Sequence, residues 1–366
     1  MSDRSERLDR THGGEAGAGV LDFSVSINPL GAPAQALQAY RSAWKEAARY
    51  PSPYSANLVR RIAAWHGVSA DSVIVGNGST QLIYLLARVL RPSRPAVVVP
   101  TFSEVANALV LAGSAPSMLA MPPERGFCLS ADEIATGLPT GADALFVGRP
   151  NSPTSTLLAF DDLQALAKHC ERIGCRLVID EAFIEFADDP RSAAALLGPH
   201  SGLVVLRSLT KIFALPGLRI GYLLAAPALI SRLGQGLEPW SVNAVAEKVA
   251  LACIEAAAPF IERTRRTVQR ERQWLQDQLS RLEGMRVIPP AANFLMFRLA
   301  RERELGDLGR FLLRRAIALR DLNGLAGCPA GFYRVGVRLR PDNERLLAAL
   351  AAYVFKTDPI RSSRPW

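Results

Sequence analysis

The stretch "SLTKIFALPGLRIGYL", residues 208–223, sets one lysine, Lys211, in apolar company, with hydroxyls at Ser208 and Thr210 and a cation at Arg219. A lysine acts as a nucleophile near neutral pH only when its pKa is depressed, which apolar surroundings and a nearby cation both do. Phe213, Leu215, Pro216 and Leu218 offer the first condition and Arg219 the second. Taken alone, such a lysine is more often a solvated surface residue. Asp180 closes the apolar run "RLVID". A carboxylate there is costly unless paired, whether as an N-cap, as half of a structural ion pair, or as the partner of a protonated pyridine nitrogen. The segment "GNGST", residues 76–80, joins an expected strand to an expected helix, so its N–H groups and hydroxyls suit a phosphate. It lacks the Gly-Lys-Ser/Thr ending of a P-loop and the Gly-x-Gly-x-x-Gly spacing of a dinucleotide loop. Ser208, Thr210 and Arg219 offer the same phosphate further donors. A lysine for an aldehyde, an acid for a ring nitrogen, a phosphate cup and an aromatic lid together suit pyridoxal 5'-phosphate. Phe102, following "AVVVP", is placed to stack on the ring; its other reading is a core aromatic.

These residues need a scaffold that brings distant segments together. From about Leu58 to Leu224, short β-rich runs ("SVIVG", "PAVVVP", "DALFVGRP", "CRLVIDEA", "GLVVLRS") alternate with helical stretches such as "FDDLQALAKHCERIG". That alternation predicts a mostly parallel sheet covered on both faces, with ligands at the carboxyl ends of the strands. Gly78, Asn151, Asp180 and Ser208 all follow directly on expected strands. After about Glu238 the pattern changes. A long helical region leads into the strand "NFLMFRL", the helix "ELGDLGRFLLRRAI", the strand "FYRVGVRL" and a last helix from Asn343, which together predict a small α+β domain. The expected organisation is an N-terminal arm over 1–45 that serves the small domain and the site, a large domain over 46–240, a small domain over 241–355 and a disordered tail over 356–366.

With 366 residues, the chain is long enough for one large α/β domain and a smaller one. Hydrophobic residues make up 49% and no apolar run is long enough to span a bilayer, so no membrane partner is expected. The polar start "MSDRSERLDRTHGGEAG" has no apolar h-region. The five cysteines are scattered and odd in number, which fits a reducing cytoplasm. Cys170 and Cys175 have no second pair beside them and the histidines form no ligand pair, so no metal is expected. The net charge of +9 comes from arginines spread along the chain without interleaved aromatics. That spread speaks against nucleic acid and leaves two readings, a plain arginine-rich composition and an anionic small-molecule substrate.

As an ordered set, "HGG", "LDFSVSINPLG", "YPSP", "GNGSTQLIYLL", "PTFSE", "PNSPT", "DEAFIEF", "SLTKIFALPGLRIGYL", "RD" at Arg320–Asp321 and "FYRVGVR" resemble the fold-type I pyridoxal-phosphate enzymes. The resemblance runs from about His12 to about Leu350, in the branch of histidinol-phosphate aminotransferase and threonine-phosphate decarboxylase. The "HGG" opening, "SLTK…PGLR", "DEAF" and "RD…GFYRVGVR" lean toward the decarboxylases. The resemblance implies that Lys211 bonds the cofactor aldehyde and Asp180 its ring nitrogen. Gly78, Ser79, Thr80, Ser208 and Arg219 would hold its phosphate, which Tyr50 would reach from the partner subunit of a homodimer. Arg334 would bind the substrate carboxylate, with Arg338 as the competing candidate. His12 and Arg320 would take the substrate's phosphate, and Asn28 would lie beside the substrate. Two positions depart from the pattern. Ser152 stands where the family has an asparagine that bonds the cofactor's phenolic oxygen, and Phe183 where a tyrosine often bonds the same atom; Asn151 is the alternative donor. The implied reaction is decarboxylation of O-phospho-L-threonine to (R)-1-amino-2-propanol O-phosphate in cobalamin synthesis; the alternative is amino transfer of the histidinol-phosphate type.

Overall fold

The computed structural model describes residues 12–299 and 308–356. The expected disordered tail therefore lies outside the described residues, apart from Lys356, which closes the last helix. The arm opens with the short strand β1 (Leu21–Asp22). The large sheet follows: β2 (Val73–Gly76), β3 (Pro95–Val99), β4 (Ser117–Ala120), β5 (Ala144–Gly148), β6 (Arg176–Asp180), β7 (Leu203–Ser208) and β8 (Gly221–Ala225). Its strand order is β2-β8-β7-β6-β5-β3-β4. Only β8 runs antiparallel to its neighbours; the pairs from β7 through to β4 are parallel. The central strands are continuous apolar runs because both faces are covered. On one face, Ile74, Val97, Val178 and Leu206 pack on the helices Gly78–Leu90, Glu104–Leu111 and Pro227–Gly236. On the other, Val75, Val98, Ile179 and Val205 meet Ala56–His66, Phe160–Arg172 and Ala244–Glu255.

The smaller antiparallel sheet uses β9 (Met285–Val287) and β10 (Phe294–Leu299), then, beyond the separate strand β11 (Ile317–Ala318), β12 (Arg320–Asp321) and β13 (Phe332–Gly336), in the order β12-β13-β10-β9. The arm joins this unit. β1 pairs in parallel with β11, and Phe23 is fully buried in the same apolar core as Leu275, Phe297 and Leu350. The long helical region is two helices, Ala244–Glu255 and Ala257–Ser280. Pro259 lacks an N–H and would clash with the preceding turn inside a continuous helix, so the first helix stops before it and the second begins at Ala257 with the proline in its first turn. The last helix starts at Arg340, three residues before the expected Asn343, with Pro341 tolerated in its first turn. Among the described residues, no helix is long and apolar enough to cross a membrane, and no group of three His, Cys, Asp or Glu side chains could hold a metal.

Candidate active site

A cleft of about 280 Å³ opens at the carboxyl ends of β5, β6 and β7, under the wall formed by β12 and β13. Register explains the convergence: Gly148 lies opposite Asp180, and Ser208 opposite Gly221. Lys211 stands in a one-turn helix, Leu209–Ile212, directly after β7. Burial, then the guanidinium groups of Arg334 and Arg219, bring its pKa down to about 8 against the pull of Asp180. The expected cation effect is present, with Arg334 ahead of Arg219. Asp180, the last residue of β6, accepts the Ala182 N–H at 3.0 Å. Burial pushes it up to about 6, opposed by that N–H, reinforced by Glu181 and opposed by Lys211.

The cup is built from the start of the helix Gly78–Leu90. Gly78 sits at φ +80, and a Cβ there would lie 2.6 Å from Arg219 Nη2. Gly221 permits the same close approach, since its Cβ would meet the Ser79 N at 2.5 Å. Ser79, Thr80, Ser208, Thr210 and Arg219 all face the cleft, and the Ser208 and Thr210 hydroxyls are 2.8 Å apart. Phe102 forms a side wall, with the His12 ring 6.0 Å away. His12 Nε2 is 3.1 Å from Glu104 Oε1. Glu104 is buried and also accepts from Tyr84 Oη at 2.5 Å and Asn107 Nδ2 at 3.0 Å.

Arg320 and Arg334 are direct cross-strand neighbours on β12 and β13, and both line the cleft. Burial, then Arg320, lowers Arg334 to about 10, with Asp22 opposing. Arg334 donates to Ser152 Oγ at 2.9 Å and to the Ser24 carbonyl at 2.6 Å. Phe183 lines the floor.

Three expected residues, Arg338, Asn28 and Asn151, stand elsewhere. Arg338 lies beyond the end of β13, bonds Asp342 and the Asp22 carbonyl, and is not in the cleft wall. Asn28 is buried and does not meet the cleft. Its Nδ2 donates to the Ile212 carbonyl and to Thr264 Oγ1, and its backbone N–H donates to the Lys211 carbonyl. It ties down the lysine's turn from behind the cleft wall. Asn151 spends its amide donors on the Pro100 carbonyl and Thr154 Oγ1, so it offers no donor to the cleft. Tyr50 is 87% exposed and stacks on Trp240, outside this chain's cleft.

The sequence reading missed a charge network beneath the site. Arg149, Glu181, Arg207 and Glu185 are buried and joined by ion pairs of 3.4, 3.2 and 2.5 Å. Strand alternation was the available signal: Asp180 faces the cleft, so Glu181 faces away from it.

Residues 18–350 match the model of the family described as aminotransferase class I and II. The chain belongs to this family. Class I and II aminotransferases and their relatives depend on pyridoxal phosphate. The chain is 36% identical to the threonine-phosphate decarboxylase of Salmonella typhimurium over 90% of either chain. It is 29% identical to the adenosylcobalamin biosynthesis bifunctional protein of Leptospira interrogans, over 94% of this chain and 40% of that one. Among solved structures, it superposes on the histidinol-phosphate aminotransferase from Clostridium acetobutylicum with a TM-score of 0.83 and 26% identity, covering 92% of this chain and 99% of that one. The fold of this class I/II chain is accordingly that of the fold-type I enzymes.

The site of this family member fits the cofactor on its own features. The cup is glycine-floored where a Cβ would strike Arg219. An acid ends the central strand, and a half-buried lysine with a lowered pKa faces it across the cleft.

Proposed function

We propose that the chain binds pyridoxal 5'-phosphate and decarboxylates O-phospho-L-threonine to (R)-1-amino-2-propanol O-phosphate, a step of cobalamin synthesis. The observation that carries the reading is the pair Arg320–Arg334 on one wall above Lys211. Two adjacent guanidinium groups suit a small substrate with two anionic ends. The similarity to a threonine-phosphate decarboxylase over most of both chains supports the choice of substrate. When bound, pyridoxal phosphate supplies an aldehyde for the substrate amine and an electron-accepting ring for the pair released when a bond at the α-carbon breaks. Lys211 holds the aldehyde before substrate arrives and returns a proton to the α-carbon after carbon dioxide leaves. Asp180 accepts the ring-nitrogen proton in a hydrogen bond, which a buried carboxylate does well once a cation pairs with it. Gly78, Ser79, Thr80, Ser208, Thr210 and Arg219 grip the cofactor phosphate, and Phe102 covers the ring. Arg334 takes the substrate carboxylate, while Arg320 and His12 take its phosphate.

The same reading makes the enzyme a cytoplasmic homodimer without nucleic-acid or membrane partners. Support for the dimer comes from the exposed aromatics Tyr40, Trp44, Tyr50, Tyr54 and Trp240. Tyr50 would reach the cofactor phosphate of the other subunit. The test incubates purified, cofactor-loaded protein with O-phospho-L-threonine and assays carbon dioxide and aminopropanol phosphate. Histidinol phosphate with 2-oxoglutarate runs alongside. Carbon dioxide without any oxo-acid is the expected result; amino transfer to 2-oxoglutarate alone would replace this reading by the aminotransferase one.

A further inference from the structure

The two cleft residues that depart from the family pattern, Ser152 and Phe183, converge on Arg334. Nη1 of Arg334 donates to Ser152 Oγ at 2.9 Å, and Nη2 to the Ser24 carbonyl at 2.6 Å. The guanidinium carbon lies 5.5 Å from the centroid of the Phe294 ring. Phe183 meets that ring edge-on, with centroids 4.8 Å apart and planes at 68°. Arg334 Nε is buried and has no partner among the described residues. The guanidinium is thus held by two acceptors and one aromatic face. Phe183 has no hydroxyl to give a cofactor; its ring braces Phe294 instead.

Resting on the decarboxylase reading, we infer that Ser152 is a positioning residue for Arg334. With the Ser24 carbonyl and the Phe183–Phe294 pair, it fixes the plane of the guanidinium and so the angle at which the substrate carboxylate is held. A carboxylate binds a guanidinium in the plane of its fork. The α-carbon bond that lies perpendicular to an adjoining conjugated ring is the one that breaks, since only its electron pair can enter the ring. Turning the fork therefore turns the carboxylate toward or away from cleavage, and a small misalignment is costly. The competing role for Ser152 is a hydrogen bond to the cofactor's phenolic oxygen. The two roles differ in what they leave behind when the hydroxyl is removed.

The experiment compares Ser152→Ala and Ser152→Thr with the parent, all loaded with pyridoxal phosphate. Losing a hydrogen bond to a charged group raises KM for O-phospho-L-threonine about ten-fold in Ser152→Ala. Affinity for (R)-1-amino-2-propanol O-phosphate, which has no carboxylate, changes less than about two-fold. Amino transfer to 2-oxoglutarate rises relative to carbon dioxide release. Ser152→Thr keeps the hydroxyl and restores KM to within about two-fold. The pH midpoint of the bound cofactor's visible absorbance stays where it is in both variants. A midpoint that moves by about one unit in Ser152→Ala, with KM unchanged, overturns the inference, because the hydroxyl then serves the cofactor. Equal losses for both ligands overturn it too. If the parent releases no carbon dioxide from O-phospho-L-threonine, the substrate reading falls. Ligand affinities read from the cofactor's absorbance then still decide: a loss in Ser152→Ala confined to the carboxylate-bearing O-phospho-L-threonine sustains the inference, and an equal loss for both ligands, or a moved midpoint with no loss, overturns it.

Discussion

Replacing Glu181 by glutamine keeps the side chain's shape and removes one charge from a closed network. Two arginines and two glutamates balance there: Arg149, Arg207, Glu181 and Glu185. Glu181 is fully buried. Its Oε1 accepts the Ala193 N–H at 2.7 Å and Arg149 Nη1 at 3.4 Å. Its Oε2 accepts Ser192 Oγ at 2.5 Å and Arg207 Nη1 at 3.2 Å. A glutamine that keeps its oxygen toward Ala193 must point its amide nitrogen at Arg207, donor against donor. One buried positive charge is then uncompensated. Breaking a buried pair in this way costs about 3–5 kcal/mol. For a domain near 200 residues, that lowers Tm by roughly 6–20 °C. Thermal unfolding of the cofactor-free protein, followed by circular dichroism, reads the change. The double variant Glu181→Gln/Arg149→Met restores neutrality and leaves Arg207 paired with Glu185. It recovers at least about 1 kcal/mol relative to the sum of the two single changes. A Tm within about 2 °C of the parent for Glu181→Gln would refute the reasoning, since the network would then hold no charge that needs compensation.

Gly78→Ala places a Cβ against Arg219 at a positive φ, so the cup must open; cofactor affinity falls at least about ten-fold, read by absorbance titration of the cofactor-free protein. Lys211 must lose a proton before it can attack an aldehyde. With its pKa brought to about 8, the rate of recombination with pyridoxal phosphate rises through pH 8 and then levels; a rate still climbing beyond about pH 10 would contradict its burial. Asp180 has a native pKa of about 6 against an ordinary 3.8. The native state therefore holds the proton more tightly, and the contribution is full below about pH 4 and lost as pH rises through 6. In the cofactor-free protein this is worth up to about 3 kcal/mol, and Asp180→Asn flattens that part of the stability profile.

The residues at strand ends were legible because a parallel sheet leaves little choice about where its carboxyl ends meet. Lys211, Asp180 and Gly78 fall together for that reason, and Arg219 joins them because the antiparallel strand β8 begins at the same end of the sheet. Choosing between Arg334 and Arg338 was not possible from alternation. β13 ends at Gly336, so the period of two that aims Arg334 no longer applies to Arg338. Asn28 was placed by motif beside a substrate, yet its amide is consumed by Ile212 and Thr264. No local pattern announces partners so distant in the chain. The buried network was hidden differently. Arg149, Glu181 and Arg207 each adjoin a cleft residue or a strand end, where a charge reads as solvated until the layer behind the sheet is known.

Asn28 also bears on the order in which the molecule becomes competent. It bonds partners 184 and 236 positions later in the chain, the second on the long helix that leads into the small sheet. During synthesis, the residue that steadies the Lys211 turn emerges among the first, meets that turn only after Ile212 has left the ribosome, and completes its amide bonds only with Thr264. The sheet around Asp180 can pair well before that point, because domains fold as their segments appear. The catalytic turn therefore gains its last anchor only once the long helix has emerged, later than the strands that flank Asp180.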